Sequence, residues 1–358
     1  MDFTFTEDQL ALQDSVRRFL QAEVTPEWIR KRWENGPVED DALWQKMMEL
    51  GLTTLLVPED QDGVGLSEID FVLLAEECGR VALPGTLVEN ALVAVPLLAS
   101  LAGDNAQCAE ILAAVATGEQ RVAIRHSLNP FVEDADFADW LLVQKGDKVY
   151  LKGKHKVSLT EHKSLDPSRR LFQIDCQPET GELLCEGEEG EDLWRAVVNR
   201  GALAVAAQLL GVAQAQLDLA VQYSSNRQQF GKPIGSFQAV KHLLANCAVK
   251  IDFARTPVYR SAYTVSKVPV RADIAVSHGK IAAAEAALLS AKNAIQVHGA
   301  MGYTWECDLQ IWMKHAWALD KAWGDAGFHK NRIHKWLLNE RSLIGAGNTF
   351  GRMELDFL

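Results

Sequence analysis

The chain has 358 residues, 48% hydrophobic and 23% charged, enough to bury a large core and to form two or three domains. A formal charge of −12 with no basic stripe argues against nucleic acid and anionic membrane as partners, so a polyanionic ligand would have to meet local positive charge. The 6 cysteines (Cys78, Cys108, Cys176, Cys185, Cys247, Cys307) form no C-x-x-C pair and share no metal spacing with histidine, which favours reduced thiols over a disulfide framework or zinc site.

The N-terminal stretch is amphipathic and acidic where a secretory leader would be basic and then apolar. No apolar run reaches the roughly 18 residues of a membrane span, and a soluble cytoplasmic protein is expected. Thr6 caps a first helix carrying Leu10, Leu12, Val16, Phe19 and Leu20, with Pro26 as a stop signal beyond it. A second pattern runs through Trp44, Met47, Met48 and Leu50 to Gly51, and 58–65 is a turn-rich loop. Ser67 and Asp70 form a capping box ahead of the apolar run 71–74, and 87–117 is rich in Ala and Leu and reads as helix.

Near residue 120 the pattern changes. Runs at 121–124, 140–143, 148–152 and 170–175 are β-like, with Gly146-Asp147 placed to turn a hairpin. The acidic run 182–192 reads as a solvated loop. Helical patterns then occupy 197–223, 241–265, 274–297 and 308–338, and four long helices on short connections predict an antiparallel bundle. The expected fold is mainly α with a small β domain. It comprises an N-terminal helical domain (1–118), a middle β-barrel-like domain (119–194) and a C-terminal four-helix bundle (195–358).

Two connections in the bundle are unusual. One runs from Arg227 through Phe230, Gly231, Lys232, Pro233 and Gly235 to Gln238, the other from Gln296 through His298, Gly299 and Gly302 to Tyr303. Each sets glycine beside phosphate-binding groups: a bidentate guanidinium in the first, an amide and exposed backbone N–H groups in the second. Taken separately, either is also compatible with a simple helix-capping turn.

In this order, with Pro58-Glu59, Gly63-Val64-Gly65 and Glu76-Glu77-Cys78-Gly79-Arg80 upstream, they make the chain resemble the acyl-CoA dehydrogenase family along essentially its whole length. The resemblance implies the same helical–β–helical order and FAD as cofactor. It implies that Arg227, Phe230, Gln238, Gln296 and Gly299 contact the ADP half of a flavin held by a neighbouring subunit. Ala300 stands where the family usually has a second glycine.

The family's base is a glutamate in one of two places. Counting from the Gly302 motif lands on Trp323, and counting back from the Arg227 motif lands on Gly201. Two turns beyond Gly201, where many relatives have glutamate, stands Gln208. None of the three can take up a proton, so no catalytic residue is assigned. Asp325, Asp320, His298 and His315 are the nearest alternatives, with Asp325 the candidate relocated base, and Glu306 matches a non-catalytic family glutamate. The family's flavin-ring segments correspond to 123–130 and 153–158, and both have lost their pattern of donors and acceptors.

A chain with a cross-subunit clamp but neither ring pocket nor base is expected to be the non-catalytic subunit of an α2β2 heteromer. The implied ligands are an acyl-CoA, steroid side-chain esters among them, and the implied acceptor is an electron-transferring flavoprotein. The rivals are a self-sufficient homo-oligomer and a flavin-free acyl-CoA-binding scaffold.

Overall fold

The computed structural model describes residues 4–36 and 40–339. Helix α1 (Glu7–Glu23) starts at the expected cap, where Thr6 Oγ1 accepts from Gln9 N and the Gln9 side chain accepts from Thr6 N in return. Pro26 follows the end of α1 and also opens α2 (Pro26–Asn35), the first-turn position where a missing N–H costs nothing. Helix α3 (Asp40–Glu49) precedes α4 (Glu68–Arg80), whose Ser67–Asp70 capping box is present. The segment 87–117 is helical but interrupted. Helix α5 (Leu87–Glu89) passes through a π-turn, Asn90–Ala94, into α6 (Val95–Ala102), and α7 (Ala106–Ala116) restarts under an Asn105 cap.

The β region holds two sheets. Strands β1 (Val122–Arg125), β3 (Trp140–Lys145), β4 (Lys148–Gly153) and β7 (Glu182–Cys185) form the first in the order β1-β3-β4-β7, with the Gly146-Asp147 hairpin as expected. Strands β2 (Phe131–Glu133), β5 (Ser158–His162) and β6 (Leu171–Asp175) form the second. Leu141, Val143 and Tyr150 of one meet Val132, Phe172 and Ile174 of the other in a shared core.

The acidic run differs from expectation: residues 182–185 are strand β7, and the rest begins α8 (Gly187–Asn226). Carboxylates in a helix's first turn are stabilised by the N-terminal dipole, which suits Glu188 and Glu189. Helix α8 is long and apolar enough to cross a membrane by composition, yet 83% of its apolar window is buried as the core of the bundle. A two-strand hairpin, β8 (Gln228–Gln229) with β9 (Lys232–Pro233), leads to α9 (Gln238–Lys267) and α10 (Ala272–His298).

The last helix is not continuous. Helix α11 (Leu309–Lys321) and α12 (Ala326–Leu337) are separated by a break at which Trp323 and Gly324 have φ of 55° and 95°. The carbonyls of Leu319 and Asp320 at the end of α11 receive the buried Lys280 amine at 3.1 and 3.0 Å.

Helix α4 ties the two helical regions together. The buried Glu77 carboxylate accepts Arg17 at 2.7 and 3.0 Å and Gln13 at 2.9 Å, while Glu76 accepts the Tyr259 hydroxyl at 2.7 Å. A β-carbon on Gly79 would fall into the Gln208 backbone, and one on Gly211 into that of Glu76. Only glycine allows α4 and α8 to cross so closely.

Candidate active site

Both unusual connections lie at one end of the bundle. Arg227 ends α8, its N–H bonded to Tyr223 O at 2.8 Å. Phe230 (φ 53°) and Gly231 (φ 76°) make the hairpin turn, a pair of positive φ values that two-residue hairpins require, and the Phe230 ring is 91% exposed. Ile234 packs in a small core with Tyr223, Val240, Leu243, Ile295 and Val297, joining the ends of α8 and α10 to the start of α9. The His298 ring stacks on Tyr223 at 4.3 Å, and its Nδ1 lies 2.8 Å from Ala294 O, so His298 is structural.

Arg227, Phe230, Gln238, Gln296 and Gly299 therefore share one pole, and all five are exposed. Among the described residues, the side chains of Arg227, Gln238 and Gln296 engage no partner. Gly299 has φ 60°, and a β-carbon there would meet nothing within 4 Å. An uncommitted guanidinium, two free amides and an open glycine turn fit a pyrophosphate and its nucleoside.

A cavity of about 770 Å³ lies elsewhere, between the β sheets and helices α10 and α11. Its walls include Ile124 of β1, Leu128 and Asn129 after it, Leu288 of α10, and Trp317, Ala318 and Asp320 near the end of α11. From the second expected ring segment the structure differs: 153–158 is absent from this wall, and Lys163, Ser164 and Leu165 stand there instead. None of the five pole residues lines the cavity. Leu288 lies about 15 Å before His298 along α10, at 1.5 Å rise per residue.

Gly201 and Trp323, the two positions that counting from the motifs gives for the family base, touch one another next to Glu89, Asn129 and Ala322 of this cavity's wall. The Trp323 side chain is 2% exposed and covers Gly201 so closely that a β-carbon there would fall within the indole ring. Trp323 N donates to Asn129 Oδ1 at 2.8 Å, and its indole Nε1 donates to Glu89 Oε2 at 3.2 Å. Its carbonyl accepts from His329 Nε2 at 3.1 Å. Gln208 lines a residual cavity of about 30 Å³ beside the ring, where its amide donates to Ala204 O at 3.3 Å. In the first of the two expected ring segments, Asn129 Oδ1 is thus bonded to the backbone of Trp323.

Sequence reasoning missed the polar groups around this indole. Glu89 faces both cavities, and burial, reinforced by the nearby Glu133, pushes its carboxyl up to about 7. The available signal was one carboxylate inside the run 87–95, which is apolar apart from Glu89 and Asn90. Arg169 Nε donates to Glu133 at 2.7 Å in the same wall, and His315 Nδ1 lies 2.7 Å from Asp166 Oδ2, both side chains buried.

A carboxyl whose folded pKa lies above its unfolded value binds more protons folded than unfolded. Its contribution is fully present below about 4.5 and lost as pH rises through about 7. The parent should therefore lose on the order of 3 kcal/mol more stability between pH 5 and 8 than Glu89→Gln, which keeps an acceptor for the indole. Urea titrations of both proteins at the two pH values measure this. Equal losses would show that Glu89 is ionised in the fold.

Asp325 is exposed and caps α12, accepting from Phe328 N at 2.9 Å. That bond holds its carboxyl below the usual range, so it is a weak proton acceptor. Asp320 lies at the end of α11, its carboxylate 2.9 Å from Lys321.

Helical, β and bundle regions in this order define an acyl-CoA dehydrogenase architecture. Residues 6–119 match the acyl-CoA dehydrogenase N-terminal domain and 188–338 the C-terminal domain. The chain belongs to the acyl-CoA dehydrogenase family, FAD-dependent oxidoreductases acting on CH–CH donors. It is 31% identical over 312 residues to acyl-CoA dehydrogenase IpdE2 of Mycobacterium tuberculosis, covering 87% of this chain and 91% of that one. It is 27% identical to the caffeyl-CoA reductase–Etf complex subunit CarC of Acetobacterium woodii over 84% of this chain and 90% of that one. The fold matches a chain of the ChsE4–ChsE5 complex from Mycobacterium tuberculosis with a TM-score of 0.82, at 22% identity, over 94% of this chain and 99% of that one.

Proposed function

We propose that this chain is the subunit of a heteromeric FAD-dependent acyl-CoA dehydrogenase that completes its partner's FAD site and supplies no catalytic base. The assembly, α2β2, oxidises an acyl-CoA of the bulky, steroid side-chain kind in the cytoplasm and passes electrons to an electron-transferring flavoprotein. The observation that carries this reading is the separation of functions: the nucleotide-type pole is exposed and unengaged, whereas both family base positions are filled by one buried indole.

The residues here would bind the partner's flavin from outside. Arg227 would take the pyrophosphate through its fork, Gln238 and Gln296 would bond the nucleotide through their amides, and Gly299 would let backbone approach it. When bound, FAD would supply the acceptor for the β-hydrogen of the acyl chain, which leaves as hydride. The relative named as a ChsE4–ChsE5 complex supports assembly with an unlike chain, and the one named for an Etf complex supports the acceptor.

The test is to purify the chain alone and with the product of an adjacent acyl-CoA dehydrogenase gene, then record the flavin spectrum and its bleaching by acyl-CoA. Flavin and bleaching only in the mixture support the proposal. A yellow, active preparation of this chain alone would overturn it, and no flavin in either would leave the scaffold reading standing.

A further inference from the structure

We propose that Trp323 is an internal plug that fills this chain's own acyl site, so that the heteromer takes up acyl-CoA only on its partner. The inference rests on the reading of this chain as the clamp-supplying subunit.

Four residues hold the plug, and two of them, Asn129 and Gly201, occupy positions that the family resemblance gives to a working site. Asn129, which accepts the Trp323 N–H at 2.8 Å, belongs to the segment that in relatives grips the flavin ring. Gly201, at the second base position, gives up its side chain to the indole face. Glu89 accepts the indole N–H at 3.2 Å on the side facing the larger cavity. His329 Nε2 donates to the Trp323 carbonyl at 3.1 Å, and its Nδ1 lies 3.1 Å from Ser277 Oγ.

The backbone shows how firmly the plug is held. A bulky residue at φ 55° costs about 1–2 kcal/mol and persists only where its surroundings over-determine it. Here contacts from β1's following loop, α5, α8 and α12 converge on one residue. What remains beside the ring is about 30 Å³, room for roughly one water and too little for an acyl chain. His315 lines this remnant, and its Nε2 is buried without a hydrogen-bond partner, which suits a single water.

The test uses the assembled heteromer loaded with FAD and titrated calorimetrically with a non-oxidisable acyl-CoA thioether. The parent should bind one equivalent per pair of chains. Trp323→Gly should bind close to two, and millimolar indole should compete for the added site and raise the variant's lowered melting temperature. Two equivalents bound by the parent would overturn the plug, as would a variant that stays at one with no response to indole.

Gly201→Ala provides a check if Trp323→Gly does not assemble. Its β-carbon enters the ring, so melting should fall by several degrees, and Trp323→Ala in the same chain should recover much of that loss. Strictly additive effects would remove the contact on which the plug depends. Flavin content of the same preparations keeps the two ideas apart. Two thioethers per pair bound by the parent at normal flavin sinks the plug alone, whereas flavin on this chain without its partner sinks the subunit reading.

Discussion

Arg227→Ala should strip flavin from the assembled enzyme, lowering its affinity for FAD about tenfold to a hundredfold. The guanidinium is exposed and engages no described residue, so it is available to the pyrophosphate and its removal leaves no buried group stranded. A charge-assisted hydrogen bond is worth about 1.5–3 kcal/mol, and each 1.4 kcal/mol is tenfold in affinity. Arg227→Lys should fall between the two, because it keeps the charge and loses the fork. Flavin retained after gel filtration, together with a fluorescence titration of FAD, reads the effect. Unchanged flavin content in Arg227→Ala would place the nucleotide elsewhere.

Asp166→Ala should destabilise the chain by about 1–3 kcal/mol, the usual cost of leaving buried hydrogen-bonding groups without their partner. Asp166 Oδ2 lies 2.7 Å from His315 Nδ1, and Oδ1 accepts from Ser168 N at 2.9 Å. Ser168 in turn accepts the Trp33 indole N–H at 2.6 Å and the Arg32 guanidinium at its carbonyl at 3.3 Å. One carboxylate thus links α11, the 163–169 segment that walls the large cavity, and α2. Burial alone would raise its pKa, but His315 and the Ser168 N–H hold it below the usual carboxylate range. Its stability contribution is therefore present above the unfolded pKa of about 4 and lost as pH falls through the depressed folded value. Asp166→Asn, which keeps the Ser168 acceptor, should lose less than alanine. Urea denaturation of the two variants measures the order, and a loss below about 1 kcal/mol for alanine would show the pair to be dispensable.

The elements legible in the sequence are those whose cause is local. The Thr6 and Ser67 capping boxes formed where side chains three residues apart could satisfy each other, and Gly146-Asp147 turned its hairpin for the same reason. The two motifs stood out because Arg227 and Gly299 lie in connections whose composition departs from ordinary helix turns, with Gln238 and Gln296 on the adjoining ends of α9 and α10. Strand β5 was missed because its residues are mostly exposed and show no apolar alternation, and β7 because an acidic strand edge looks like a loop. The acids at 188–192 did carry a signal, since carboxylates are common at a helix N-terminus.

By itself the sequence determined the helix order, the family motifs and the absence of a carboxylate at Gly201, Gln208 and Trp323. Tertiary structure alone decided that Gly201 and Trp323 are one packing contact. It also decided that α11 and α12 break between Ala322 and Asp325, and that Glu89 is the acid facing the plug. These facts depend on residues separated by more than a hundred positions in the chain and on the removal of water from between them. Neither helix periodicity nor motif spacing encodes which side chains burial brings into contact, so the closed site became visible only when the chain was folded.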